Sequence, residues 1–346
     1  MTVRFAEKDE QTRWNEHILA NPDGGNVFQG YELAMQKILG GWTPRFIVAG
    51  KLAITVLEKT VPGLGRLWYT PKGPGVATLR QLDDLLPALR EFAARQGVFA
   101  VKIEPELAQS KETAASLLKL GLAKVSHIQP NASTVLIDLS PTLDTVIANL
   151  NQKGRHAIRR AERDGVTATP VKTTDKNCHI MYDLLAATAA GSFRIRGYNY
   201  YKTFWQRYEN AGLGQLFFAY AGGHIVAGAF AIAFGKKGTY KDGASVRERT
   251  TYGASHLLQW RIIRWMKDRD VTTYDLCGTP PSGEINNPAH SHHGIGRFKT
   301  SFNKHVTDYI GAYDIVIKPA QYKLWRKIGE RAALRLHNLR HHENYY

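Results

Sequence analysis

With 346 residues, 43% of them hydrophobic, the chain has enough apolar mass for one large domain or two ordinary ones, which excludes an intrinsically disordered polymer. Lysine and arginine number 46 against 30 aspartates and glutamates, and the resulting formal charge of +16 draws nucleic acid, anionic lipid or nucleotide-linked substrates. The two cysteines, Cys178 and Cys277, stand far apart in no CxxC pattern, so a disulfide scaffold is excluded and a reduced compartment suits the chain.

The start, MTVRFAEKDEQ, is charged where a signal peptide is apolar. Up to about residue 140, strand-like segments (RFIVAG, LAITVLE, RLWYT, FAVKIE) alternate with helical ones (YELAMQKIL, QLDDLLPALREFAARQG, KETAASLLKLG), each helix closing near a glycine. A strand, TVLIDLS, then precedes SPTLDTVIANLNQKGRHAIRRAERDG, which reads as one long helix with Ser140 as N-cap, Pro141 at the first helical position and Gly165 past its end. The second half repeats the rhythm: helix MYDLLAATAA, strands QLFFAYAG, HIVAGAFAIAFG and KGTYKDGAS, helix YGASHLLQWRIIRWMKDR, strand TTYDLCG and a last strand around AYDIVI. The longest apolar run, AGAFAIAF from Ala227, is too short to cross a bilayer and reads as a buried strand. From Lys318 a separate basic helix is predicted, with Trp325, Ile328, Ala332, Leu336 and Leu339 at helical spacing. The charged start, the cysteine usage and the short apolar runs predict a soluble cytoplasmic protein; the alternation predicts mixed α/β class, and its doubled rhythm suggests duplication without any residue-level repeat.

On the helix from Pro141, Leu143, Val146, Ile147, Leu150, Ile158 and Ala161 line one face, while Lys153, Arg155, Arg159, Arg160 and Arg163 fall mostly opposite. Such a face suits a phosphate backbone, or is simply solvated. The C-terminal helix has the same two readings and a third, peripheral contact with an anionic membrane. In FRIRGYNYY, from Phe193, Arg194 and Arg196 stand beside tyrosines that suit sugars, bases or phosphates; a Tyr-rich turn packed on a neighbouring helix is the plainer reading. His290, His292 and His293, with Cys277 upstream, match no recognised zinc spacing, and no metal or cofactor is expected. GxSxG, HExxH and P-loop patterns are missing. RTTYGAS, from Arg249, carries Tyr252 where a coenzyme A-binding turn needs glycine, which weakens coenzyme A as a donor. In HGIGRFKTSFN one cation, Lys299, stands between Phe298 and Phe302.

Taken together, VFQGYELAMQK, LWYTPKGPG, VKIEPE, NLNQKGRHAIRRAERDGV, TYKDGAS, the helix HLLQW, YDLCG and HGIGRFKTSF resemble, in order, the FemABX family of aminoacyl-tRNA-dependent aminoacyltransferases. The resemblance implies two acetyltransferase-like (GNAT-like) domains, 1–140 with 316–346 and 141–315, the last helix returning to the first domain. Without sustained heptads, the chain resembles members that lack the family's helical arm. The implied reaction moves an amino acid from aminoacyl-tRNA to the stem-peptide amine of UDP-muramyl pentapeptide or lipid II, at or near the inner face of the membrane, with no protein partner implied. Carried over by position, Lys37, Arg196 with Tyr200, and Tyr240 hold the muramyl peptide, and Phe298 with Lys299 meets the acceptor end of the tRNA. On that reading Lys299, kept dry by Phe298 and Phe302, stabilises the oxyanion, and the arginine-rich helix tracks the tRNA backbone. Glu104 stands where the family more often has aspartate, Lys241 and Asp242 where it has apolar or aromatic residues, and Asn303 and Lys304 where it commonly has glycines. Two readings of other classes remain beside it: a coenzyme A-dependent N-acyltransferase, and a noncatalytic RNA- or membrane-binding protein.

Overall fold

The computed structural model describes residues 1–129, 132–189, 194–246 and 251–341. Among the described residues thirteen strands build two large sheets. They are β1 Val3–Phe5, β2 Thr43–Ala49, β3 Leu52–Val61, β4 Gly65–Thr70, β5 Val98–Ile103, β6 Leu122–Val125 and β7 Leu136–Asp138. Then follow β8 Thr167–Val171, β9 Gly214–Ala221, β10 His224–Phe234, β11 Lys237–Ser245, β12 Thr273–Asp275 and β13 Ala312–Val316. The chain divides into two compact units, 1–132 with 308–346, and 133–307.

The first unit holds the sheet β1-β2-β3-β4-β5-β13-β6. The neighbours β1 to β4 pair antiparallel, β4 and β5 pair parallel, and β13 lies antiparallel to β5 and β6. A parallel pair needs a crossover, and the helix Leu79–Arg95 supplies it. Thr78 and Gln81 close a capping box at its start, and Leu82, Leu85, Leu86 and Leu89 bury its apolar face with Trp68 and Val101 of the sheet. Trp325 of the C-terminal segment packs on Phe99, 5.7 Å between ring centroids, in a smaller apolar cluster of the same unit.

The second unit holds the sheet β7-β12-β11-β10-β9-β8. Its plan repeats the first: four antiparallel strands β8 to β11, a crossover helix Ala254–Lys267, a parallel strand β12, and an antiparallel strand β7 beyond. In both units that outer antiparallel partner comes from a distant part of the chain, β13 in one case and β7 in the other. Leu257, Leu258, Ile262 and Ile263 of the crossover helix pack on Phe217, Ala229 and Ala231 of the strands. Among the described residues the longest helix of this unit is Asp175–Ala189, of 15 residues.

Two elements differ from the sequence expectation, and a third is not assigned there. The long helix from Pro141 is two, Leu143–Asn149 and Gln152–Arg163, with extended backbone at Leu150. Thr142 caps the first, accepting from the Thr145 N–H, whereas Ser140 bonds Asp138. The tyrosine-rich tract opens a helix, Tyr198–Asn210, that its aromatic content masked, and HGIGRFK is a short helix, His293–Lys299, despite its glycines. Among the described residues no helix is long and apolar enough to cross a membrane.

Candidate active site

Lys299 ends the helix His293–Lys299 and is only 7% exposed. Its ammonium donates to the Cys277 carbonyl at 2.9 Å and the Gly278 carbonyl at 2.8 Å, and sits 5.8 Å from the centroid of the Tyr240 ring. The two carbonyls belong to the turn leaving β12, where Cys277 has a left-handed backbone, φ 58°. That conformation costs a non-glycine residue about 1–2 kcal/mol. Asp275 holds it, accepting from the Cys277 N–H at 2.6 Å and from the Thr134 hydroxyl. Gly296 brings the lysine's helix against this turn, since a Cβ there would lie 2.8 Å from Pro280 Cδ.

Burial pushes the Lys299 ammonium down to about 8, against the opposing pull of Asp275. An ammonium carries three donors, so one N–H remains beyond the two carbonyls. Phe298 and Phe302 pack on each other, 5.3 Å between centroids, and on His256 at 5.0 and 5.2 Å. Consecutive helical residues diverge by about 100°, so Phe298 and Lys299 face different surroundings. The ammonium meets the two carbonyls of the β12 turn and the Tyr240 ring.

The break in the long helix fixes the segment that follows Lys299. The Asn151 N–H donates to the Phe302 carbonyl at 2.7 Å, the Gly154 N–H to the Ser301 carbonyl at 3.0 Å, and the Asn151 side chain to the Thr300 carbonyl at 3.0 Å. A Cβ at Gly154 would meet the Ser301 carbonyl oxygen at 2.4 Å, so glycine is required there. Arg155 closes the other side, donating to the Ala148 carbonyl at 2.6 Å and to the Leu150 carbonyl. It caps the preceding helix rather than standing with the other arginines.

Tyr240 lies on β11 beside a bulge, with Tyr240 opposite Ala231, Asp242 opposite Phe230 and Lys241 the inserted residue. Its ring occupies the space over Gly243, where a Cβ would stand 1.6 Å from the hydroxyl oxygen. Burial, then the Asp242 carboxylate, holds the phenol well above its ordinary range. The amide of Gln259 lies beside this hydroxyl and is itself fixed by Tyr274 Oη at 2.5 Å.

Arg196 lies 4.5 Å over the Tyr200 ring, and Tyr182 Oη donates to its carbonyl at 3.1 Å. One helix turn on, Trp205 Nε1 donates to Asp242 Oδ2 at 2.9 Å, tying the Tyr200 helix to the strand that carries Tyr240. Lys241 pairs with Asp242 Oδ1 at 3.0 Å above the Phe204 ring. Burial acts to lower the Lys241 ammonium, and the Asp242 carboxylate together with Tyr201 and Tyr200 outweighs it, leaving it raised. The two departures from the family pattern therefore satisfy each other. Tyr201, beside Trp205, is pushed up to about 12 by burial and then by Asp242.

Arg159, Arg160 and Arg163 are exposed and line an open hollow with His156 and Tyr252. Arg160 stacks on Tyr252 at 5.0 Å, and Gly253, φ 83°, packs so closely on the same helix that a Cβ would lie 2.2 Å from the Ala157 carbonyl oxygen. Tyr252 also lines a cleft with Ser245, Val246, His256 and Phe298 at the start of the crossover helix. One aromatic residue thus joins the arginine hollow to the cleft that Phe298 borders, and Lys299 follows Phe298. Lys153 is exposed on the same helix but does not line the hollow. Phe193 and Arg249 lie outside the described residues.

The FemAB family model matches residues 116–222 and 218–329. The chain belongs to the FemAB family. It is 21% identical over 401 residues to a lipid II:glycine glycyltransferase of Staphylococcus aureus (strain MRSA252), covering 91% of this chain and 93% of that protein. A namesake from Staphylococcus saprophyticus is 22% identical over 394 residues, covering 90% and 92%. The crystal structure of FemX superposes with a TM-score of 0.80 at 19% identity, over 94% of this chain and 99% of that one, so the fold is shared along the chain.

In this FemAB chain Lys37 belongs to the first unit, where it ends the helix Tyr31–Lys37 and is 8% exposed. Glu104 of the same unit accepts from Tyr69 Oη at 2.6 Å and from the Ile128 N–H at 2.5 Å. Sequence reasoning missed Asn151, Gly154, Gly243, Gln259 and the strained Cys277. The NLNQKG stretch held a signal for the first two, since a glycine amid helix formers marks a close approach or a break. The others act only through partners distant in sequence.

Proposed function

We propose that this protein is an aminoacyltransferase that moves an amino acid from aminoacyl-tRNA onto the stem-peptide amine of a peptidoglycan precursor, UDP-muramyl pentapeptide or lipid II, building the interpeptide bridge. Family membership and the named activity of its glycyltransferase relatives support the reaction class. The observation that carries the site is the buried Lys299 cation, next in sequence to Phe298 of a cleft that shares Tyr252 with an arginine-lined hollow.

In the reaction the peptide amine attacks the ester carbonyl carbon, a C–N bond forms, and the carbonyl electron pair moves onto oxygen. Collapse breaks the ester C–O bond, the ribose hydroxyl leaves, and the amine's proton passes to it. Charge on the oxygen is greatest at the tetrahedral stage, where the remaining N–H of Lys299 meets it in a poorly screened pocket. Arg196, Tyr200 and Tyr240 hold the precursor, and orientation carries much of the rate. Phe298 meets the tRNA's acceptor end while Arg159, Arg160 and Arg163, with Lys153 beside them, follow its backbone. Coenzyme A as donor is not favoured: Tyr252 fills the glycine position of that turn and stacks on Arg160.

The test is mass spectrometry of both precursors after incubation with the protein and a pool of charged tRNAs. A gain of one amino acid residue, abolished by ribonuclease, is the expected result. No gain on either precursor while the tRNAs stay charged, or a gain that needs only acetyl coenzyme A, overturns it.

The arginine hollow gives a separate prediction. Each phosphate contact removed flattens the dependence of log affinity on log salt by about 0.7–0.9. The Arg159→Gln, Arg163→Gln protein is expected to bind tRNA more weakly with a salt slope shallower by about 1–2. An unchanged slope in a filter-binding series assigns the tRNA backbone elsewhere.

A further inference from the structure

The segment after β13 closes the first unit with one face and leaves the other uncovered. Helix Pro319–Leu324, a wider turn over Trp325–Gly329 and helix Glu330–His341 follow without interruption. Inward, Trp325 is 1% exposed and Tyr322 Oη donates to Asp314 Oδ2 at 3.0 Å. Outward, Leu324 is 50% exposed, Ile328 57%, Leu336 55% and Leu339 73%. Lys323, Lys327, Arg331 and Arg335, all exposed, are interleaved with them.

Single exposed leucines are ordinary on protein surfaces. A row of large aliphatic side chains along one exposed helix side, set among cations, is a different pattern, because its two components ask for different neighbours. The cations seek phosphate. The leucines and isoleucine gain only from apolar surroundings. RNA satisfies the first demand and not the second, since bases are gripped by aromatic or guanidinium faces rather than by aliphatic chains. The headgroup region of an anionic bilayer satisfies both, offering phosphates above and acyl chains just beneath.

We infer that the outer face of Pro319–His341 docks on an anionic membrane surface, the helix lying in the interfacial plane with Leu324, Ile328, Leu336 and Leu339 at the acyl boundary and Lys323, Lys327, Arg331 and Arg335 on headgroup phosphates. The docking stands on this face alone. Its consequence, that the enzyme works beside a lipid-linked rather than a freely diffusing precursor, rests on the proposed function.

The experiment is co-sedimentation of the full chain with vesicles of phosphatidylcholine, alone or with phosphatidylglycerol. Binding is expected only to the anionic vesicles and is expected to weaken with salt. The Leu336→Asp, Leu339→Asp protein is expected to lose binding by about tenfold or more. Because both side chains are exposed, it should keep the wild-type melting curve and wild-type transfer to soluble UDP-muramyl pentapeptide. Absent binding to anionic vesicles, or equal binding by the variant, overturns the docking. So does loss in the variant of tRNA binding, or of a wild-type dimer, with no effect on vesicles. Vesicle binding involves no transfer step, and Lys299→Met is expected to sediment like wild type, so failure of the proposed reaction and failure of the docking are read separately.

Discussion

Replacing Lys299 with methionine is expected to lower turnover by about 10²–10³-fold, the usual loss when one donor to a developing oxyanion is removed. KM for the precursor is expected to stay within about twofold, because an interaction made only in the transition state does not contribute to ground-state binding. Lys299→Arg keeps a charge, but its planar fork does not reproduce a compact ammonium seated on two carbonyls, and it is expected to restore only part of the loss.

The pH profile separates this role from its chief rival. An ammonium at about 8 is mostly charged at neutral pH and becomes neutral above. If Lys299 acts as a cation, the rate it contributes is complete below that value and falls as pH rises through it. If it acts as a base, the contribution rises through the same value. The accepting amine titrates too, so the informative quantity is the ratio of wild-type to Lys299→Met turnover at each pH. A ratio that declines across pH 8 is expected, and a ratio that climbs assigns the lysine to proton transfer. Equal turnover of the two proteins at all pH values removes Lys299 from the reaction.

Much of this architecture is legible in the sequence. Strands and helices announce themselves through period and caps, and the doubled rhythm corresponds to two sheets of one plan. The cation at Lys299 was legible as well, because a lysine between phenylalanines after a glycine-rich stretch is chemically conspicuous. Its neighbours were not. The phenylalanines adjacent in sequence pack on His256, while the groups that hold the ammonium, Cys277, Gly278 and Tyr240, come from two other elements. The helix break at Leu150 was hidden for a related reason: local propensity favours continuing the helix, and bonds to the 300–302 segment override it.

Gly243→Ala is expected to lower turnover by about 10–100-fold without adding any group that touches substrate. The argument is geometric. A Cβ at this position would stand 1.6 Å from Tyr240 Oη and 2.3 Å from its Cζ. Carbon and oxygen settle near about 3.5 Å, so the ring must swing away by roughly 1–2 Å, the range in which misplacement of a positioning group costs about two orders of magnitude. Swinging the ring also strips the Lys299 ammonium of its aromatic face and moves the hydroxyl away from Gln259. Overpacking of this kind costs about 1–3 kcal/mol, a loss that a thermal melt can read. A double mutant shows whether the effect passes through Tyr240. Tyr240→Ala vacates the space the methyl needs, so Tyr240→Ala, Gly243→Ala is expected to melt above Gly243→Ala alone and to turn over no more slowly than Tyr240→Ala. Losses that simply multiply would mean that Gly243 acts by another route, and wild-type turnover in Gly243→Ala would mean that the position of Tyr240 does not limit the reaction.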